Sequence, residues 1–318
     1  MIAIGLPPEA STIAPRVDLL LYVVTAVTGL VAIAIFVTMI VFGIRYRAGS
    51  PAPRADDIPA LQARARRRVE TAWTLIPLAL FIASFAWAAR LYMVRGTPPA
   101  NAIELFVVAK QWMWKLQHPG GQREIDEMHI PRGQPIRLVM TSQDVIHSFF
   151  VPAFRLKQDI LPGRYTEMWF TATKTGRFHL FCAEYCGTDH ARMGGDVVVM
   201  EPAEFARWLA AHPAAENMAS RGADLFRHYG CSGCHGANAS VHAPNLAGLF
   251  GKPVPLSNGT TVVADERYVR DSILLPEREV AAGYAPIMPS FAGQISEDDI
   301  IDLIAYIKSL ADTREHPK

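Results

Sequence analysis

The chain has 318 residues, more than one ordinary domain accommodates, so two or three units are expected, each able to bury its own core. Hydrophobic residues make up 50% of it and mean hydropathy is +0.14, an excess over a typical soluble protein that suggests a part dissolved in lipid. A net charge of +1 favours neither nucleic acid nor a charged protein partner.

Residues 19–44 carry no charge, a run longer than the roughly 20 residues a helix needs to cross a bilayer. The opening MIAIGLPPEA lacks the basic region of a signal peptide, so the run reads as a transmembrane helix. A second uncharged run, 72–89, is shorter, with Trp73, Trp87 and Tyr92 placed as interfacial aromatics; a buried core helix is the alternative. Between them, residues 45–69 hold seven arginines against Asp56 and Asp57. The excess of basic residues places that loop in the cytoplasm and returns everything after about Arg95 to the outer side.

Strand-like segments follow at 136–140, 165–171, 178–181 and 196–200, with Pro and Gly at the turns, which predicts a β-sandwich or barrel. Its last loop, CAEYCGTDHARMGG, carries Cys182, Cys186, His190 and Met193, and His147 lies earlier in DVIHSFFVP. One cysteine, two histidines and a weak methionine would make a single-copper site; the second cysteine lets two thiolates bridge two copper ions. Each ion then takes one imidazole, from His147 and His190. Met193 is the axial donor to one ion, and the backbone carbonyl of Glu184 is expected for the other. Zinc is disfavoured because its cysteine pairs sit closer together and need no thioether. A disulfide, the default in an oxidising compartment, leaves the histidines and methionine unexplained.

After Met200 an alanine-rich amphipathic stretch, 204–211, leads into HPAAENMAS, read as a connector. The third unit contains CSGCH: Cys231 and Cys234 for two haem thioethers and His235 for the iron. The bare cysteine pair would also suit a redox disulfide or half a zinc site. Met288, in APIMPSF, is the only methionine downstream and the expected sixth iron ligand. His242 competes, but it lies too soon after His235 to reach the opposite haem face easily. Ser296 followed by Asp299 reads as a helix start, and Ile300, Leu303, Ile304, Ile307 and Leu310 fall on one face. A helix over 219–228 would pack against it, with Phe226 and Tyr306 in contact.

Over the first 200 residues or so, VETAWTLIP, AKQWMWK, HSFFVP, KQDILPGR and CAEYCGTDHARM resemble cytochrome c oxidase subunit II. HAPNLAGLFG resembles the loop after the haem motif in small bacterial cytochromes c, where the carbonyl matching Pro244 orients the histidine ligand. The resemblance implies a multidomain membrane protein. It would have a two-helix transmembrane hairpin (1–96), an all-β cupredoxin domain with a binuclear CuA centre (97–202), a linker (203–216) and an all-α class I cytochrome c domain (217–318). It further implies Trp112 as the exposed aromatic where electrons enter, the Glu184 carboxylate as a magnesium ligand at the boundary with the large subunit, and Glu70 near the cytoplasmic mouth of a proton path.

The implied function is the electron-transfer subunit of an oxidase in the bacterial cytoplasmic membrane, with its copper and haem on the periplasmic face. Electrons would come from an external donor, such as a soluble cytochrome c or a quinol-oxidising complex. They would pass through haem c and CuA to subunit I for reduction of oxygen to water, with subunit III as a further partner, lipid around the helices and no nucleic acid. The chain has no histidine within its apolar runs to hold an oxygen-reducing site. Tethering the haem domain would raise the effective concentration of donor near acceptor. The competing readings are the same relay serving a nitric oxide reductase, and a membrane-tethered copper chaperone.

Overall fold

The computed structural model describes residues 5–51, 61–94, 96–214, 217–236, 239 and 241–310. The chain divides into a helical unit, Thr12–Thr97, and a second unit formed by Met1–Ser11 with Pro98–Lys318.

In the helical unit, α1 (Ala14–Arg45) opens with proline in its first turn, where no intrahelical N–H is lost. Its 32 residues span about 48 Å at the usual helical rise, well over the ~30 Å of a hydrocarbon core. α2 (Leu61–Val94) begins before its apolar run: the stretch from 61 to 69, read as part of a loop, is helical. Leu, Gln, Ala and Arg are all good helix formers, so propensity carries the helix through the charges. Asp56 and Asp57, with the rest of 52–60, lie outside the described residues. Both helices expose large apolar side chains, as helices solvated by lipid do.

The second unit begins with a sandwich of ten strands. They are β1 (Ile103–Lys110), β2 (Met113–Gln117), β3 (Arg123–Ile125), β4 (Glu127–Pro131), β5 (Pro135–Ser142), β6 (His147–Val151), β7 (Leu156–Ile160), β8 (Thr166–Thr171), β9 (Gly176–Cys182) and β10 (Gly194–Met200). One sheet runs β3-β2-β1-β5-β8 and the other β4-β10-β9-β6-β7. The pairs β1–β5 and β4–β10 are parallel and the remaining pairs antiparallel. The predicted strand segments fall within β5, β8, β9 and β10, apart from Tyr165, which directly precedes β8. Trp114, Leu138, Phe149 and Phe154 are fully buried. The segment before α1 also belongs here: Ser11 bridges Ala172, Ala10 N–H donates to Ala153 at 2.9 Å, and Thr173 N–H donates to Ala10 at 2.9 Å.

Strand β1 departs from the alternation expected of a sandwich strand with one wet face. Leu105, Val107 and Ala109 are buried, and so are Phe106 and Val108 on the other face. The cover on that second face is the C-terminal domain, through Met218 and Ile301.

Residues placed in the linker form a helix, α3 (Pro202–Ala211). Phe205 is buried, and Trp208 stacks on His129 of β4 with ring centroids 4.5 Å apart and planes within 15°. Beyond it come α4 (Met218–His228), the short α5 (Ser232–His235), the hairpin β11 (Pro253–Pro255) and β12 (Thr261–Val263), α6 (Glu266–Leu274) and α7 (Glu297–Ser309). Side chains of Asn217, Asp265 and Ser296 cap the three longer helices by accepting from backbone N–H groups. α4 and α7 cross at Gly222, where a Cβ would stand 2.0 Å from the Asp302 carbonyl oxygen. Phe226 and Tyr306 pack with ring centroids 5.2 Å apart.

Candidate metal centre and haem site

β9 ends at Cys182, β10 begins after Met193, and β6 begins at His147, so the ends of three strands in one sheet frame the cysteine loop. Pairing of β6 with β9 sets Phe149 opposite Cys182, which brings His147 to the loop from a segment more than thirty residues earlier. Within the loop, Cys182 N–H donates to Met193 and His190 N–H to Gly187, both at 3.1 Å. Gly187 has φ +120°, and a Cβ there would meet Gln111 Nε2 at 2.9 Å and the Trp112 ring at 3.2 Å.

Six donors converge. Cys182 Sγ lies 3.8 Å from Cys186 Sγ, 3.2 Å from the Glu184 carbonyl oxygen and 3.9 Å from His147 Nδ1. Cys186 Sγ is 3.5 Å from His190 Nδ1 and 3.8 Å from Met193 Sδ, which is itself 3.1 Å from His147 Nδ1. Both thiols are free and buried; a disulfide would need about 2.05 Å. Two thiols, two imidazoles, a thioether and a carbonyl are soft and borderline donors that suit copper.

The surroundings prepare these donors. His147 is fully buried and donates from Nε2 to Asp144 at 2.8 Å, which leaves the Nδ1 lone pair facing the sulfurs. Asp144 also accepts from the N–H groups of Gln111 and Val145 at 2.8 and 2.7 Å. Burial pushes the Cys182 thiol up, but its contacts with the His147 imidazole and nearby backbone outweigh this and bring it down to about 6. Burial and the neighbouring Cys182 thiolate push the Cys186 thiol up to about 12. Asp144 and Gln111 were not singled out from the sequence. Asp144 stands three residues before His147, a spacing that acquires meaning only once the β5–β6 turn is known.

Trp112 is half-buried, with its ring against Gly187 of the cysteine loop. Its indole N–H is buried and has no hydrogen-bond partner among the described residues. Gln111 ties the same turn to the loop by donating to the Cys186 carbonyl at 2.7 Å. The Glu184 side chain is exposed. Glu70 is exposed on α2, two residues before the apolar run, in an ion pair with Arg66 at 2.8 Å.

In the C-terminal domain, Cys231, Cys234 and His235 sit on α5 and the turn before it, at the wall of a largely apolar cavity. The cavity has about 1350 Å³ of empty space, part of it open to solvent, and Tyr229, Tyr268, Leu303 and Met288 also line it. His235 donates from Nδ1 to the Pro244 carbonyl at 2.9 Å, freeing Nε2 for a metal. An apolar slot with two thiols, one oriented imidazole and a thioether fits a covalently attached haem. His242 lines the cavity too, but its ring is stacked on Tyr284 with centroids 4.8 Å apart.

A second cluster escaped the sequence reading. Glu124 is shared between two imidazoles, His118 Nε2 at 2.7 Å and His129 Nδ1 at 2.5 Å, and also accepts from His129 N–H at 3.0 Å. Burial pushes the Glu124 carboxyl up, and these hydrogen bonds more than reverse it, to about 2. Trp208 of α3 covers the cluster by stacking over His129.

Comparison with known proteins accords with both sites. The family model for cytochrome c oxidase subunit II, periplasmic domain, matches residues 120–201, and that for cytochrome c matches 219–311. Cytochrome c oxidase subunit 2 of Alkalihalophilus pseudofirmus is 29% identical over 301 residues, spanning 89% of this chain and 84% of that one. Cytochrome c oxidase subunit 2 of Thermostichus vulcanus is 41% identical over 115 residues, 36% of this chain and 34% of that one. The crystal structure of the periplasmic domain of subunit II of cytochrome oxidase of Bradyrhizobium japonicum has 36% identity and a TM-score of 0.35, covering 36% of this chain and 96% of that one. With both family models in sequence and relatives of one name along most of its length, the chain belongs to the cytochrome c oxidase subunit II family and carries a cytochrome c domain behind its periplasmic domain.

Proposed function

We propose that this subunit carries electrons from its own haem c to a binuclear CuA centre and on to the catalytic subunit of the oxidase. The observation that carries this reading is the convergence of His147, Cys182, the Glu184 carbonyl, Cys186, His190 and Met193 in a chain that also has a largely apolar cavity walled by Cys231, Cys234, His235 and Met288. When bound, the two metal groups supply reversible one-electron chemistry. The chain's own residues hold the ligands in place: Asp144 fixes His147, Pro244 fixes His235, and the strand ends fix the cysteine loop. A site held this rigidly changes little in geometry between redox states.

Exposed Val145, Ile146, Phe181 and Tyr185 flank the copper ligands in sequence and suit the face toward the catalytic subunit. The exposed Glu184 carboxylate suits a magnesium ion shared there. Trp112, against Gly187, suits a contact with an external donor such as a soluble cytochrome c or a quinol-oxidising complex, and Glu70 suits the mouth of a proton path. The domain limits 1–96, 97–202, 203–216 and 217–318, subunit III as a further partner and the bacterial cytoplasmic membrane complete the proposal. The test is metal and haem analysis of the full chain, with electron paramagnetic resonance of the oxidised copper. Two coppers sharing one unpaired electron and one covalent haem per chain are expected; a single copper, or none, would sink the reading.

A further inference from the structure

The C-terminal domain meets the sandwich on the outer face of β1, β2 and β5, and three charged clusters cross that face. Asp302 of α7 is 1% exposed; it accepts from Gln117 at 2.8 Å and Arg123 at 3.0 Å on the sandwich, and from Arg221 of α4 at 2.9 Å. Arg137 joins Glu104 and Glu167 of the sandwich to Glu266 of α6, which is 3% exposed, while Lys308 of α7 reaches Glu104 at 2.7 Å and Glu266 at 2.6 Å. Lys115 of β2 donates to Asp298 at 2.9 Å and to Gln143 at 3.5 Å. Between the clusters lies the apolar contact of Phe106, Val108 and Val139 with Met218 and Ile301.

Separating the domains would part Asp302 from Arg123 and Glu266 from Arg137, leaving Arg221 and Lys308 as their partners, and would open the apolar contact to water. One end of the interface also links the two sites. Tyr229, on the haem cavity wall, donates to Asp299 at 3.5 Å; the adjacent Asp298 takes Lys115; Lys115 meets Gln143; and the adjacent Asp144 holds His147.

We propose that the haem-binding domain works clamped, not tethered: Lys115, Arg123 and Arg137 are positioning residues that hold α7 and α6 on the β1–β2–β5 face in one orientation. The inference rests on the relay proposed above. The step it serves moves one electron from reduced haem, which is oxidised, to the copper pair, which is reduced, with no bond made or broken. A fixed geometry removes any search from that step.

Zero-length carbodiimide cross-linking of the full chain in detergent reads the clamp without reference to metal. Peptide mass spectrometry is expected to find Lys115 joined to Asp298 and Lys308 to Glu104. Links from carboxylates of the C-terminal domain to lysines on other faces of the sandwich, such as Lys157 and Lys174, would overturn it. In the metal-loaded chain, haem-to-copper transfer after photoreduction is expected to be independent of solvent viscosity; a rate falling with viscosity would overturn the proposal. The double change Lys115→Glu, Arg123→Glu sets like charges against Asp298 and Asp302 and is expected to slow transfer at least about tenfold, with copper and haem spectra unchanged. Adding Asp298→Lys is expected to restore part of the rate. An unaltered rate in the double variant counts against the clamp. If the double variant does not fold, the single variant Lys115→Glu takes its place, with slowed transfer expected and an unaltered rate again counting against the clamp. Absent metals with intact cross-links would sink the relay and leave the clamp standing.

Discussion

Glu124 shows what a single carboxylate contributes when two imidazoles and a backbone N–H converge on it. Its side chain is 8% exposed and its folded value near 2 lies below the ordinary 4.5. A depressed carboxyl contributes stability that is present above the unfolded value and is lost as pH falls through the folded one. For Glu124 that window is between about 4.5 and 2, with about 3 kcal/mol as its ceiling. Glu124→Gln is expected to lower the thermal midpoint near neutral pH and to flatten its fall across that window; equal slopes in both proteins would contradict the assignment. At the copper loop, Met193→Leu is expected to leave both ions bound while altering the optical spectrum and slowing transfer, which absorption and flash kinetics would check. The donors proposed for copper were legible because five of the six lie within one loop and their chemistry is distinctive. Asp144, Gln111 and His118 were not, because their roles depend on which atoms the fold sets opposite them.

The elements were legible where periodicity was strong. The two apolar helices, four strands and the amphipathic α7 follow from the pattern of apolar residues, and the Ser296 cap from its own spacing. One stretch was misjudged, and the anchor of another was hidden, for physical reasons. The start of α2 is rich in charge yet built of helix formers, and α3 is anchored by one tryptophan whose partner, His129, is remote in sequence. Trp208→Ala is expected to loosen α3 at a cost of about 2 kcal/mol and to speed proteolysis between 203 and 212. Gly222→Ala would drive a Cβ into the α7 backbone; we expect loss of a stable haem domain while the sandwich keeps its copper signal, measured by haem content against copper resonance.

On the scale of the whole molecule, the donors proposed for copper lie in the sandwich and those proposed for haem in the C-terminal domain, so maturation of one need not await the other. Cys234→Ala is expected to prevent normal two-thioether attachment of haem while leaving the copper resonance unchanged; a normal covalent haem would refute the role of Cys234. The union of the two domains was the least visible feature in the sequence. Phe106 and Val108 of β1 are apolar where a solvent-facing strand would be polar, and only the docked Met218 and Ile301 explain why.

The short segment ahead of α1 carries a consequence for insertion. Ala10 and Ser11 are stitched into the sandwich through Ala153, Phe154, Ala172 and Thr173, so the chain leaves that body and returns to it around two apolar helices. Such a path must traverse the bilayer an even number of times. Redistributing positive charge between the ends of the helices could therefore invert the hairpin only by carrying the leading segment and both outer domains across together. A single-pass form would have to tear Ser11 from the sheet.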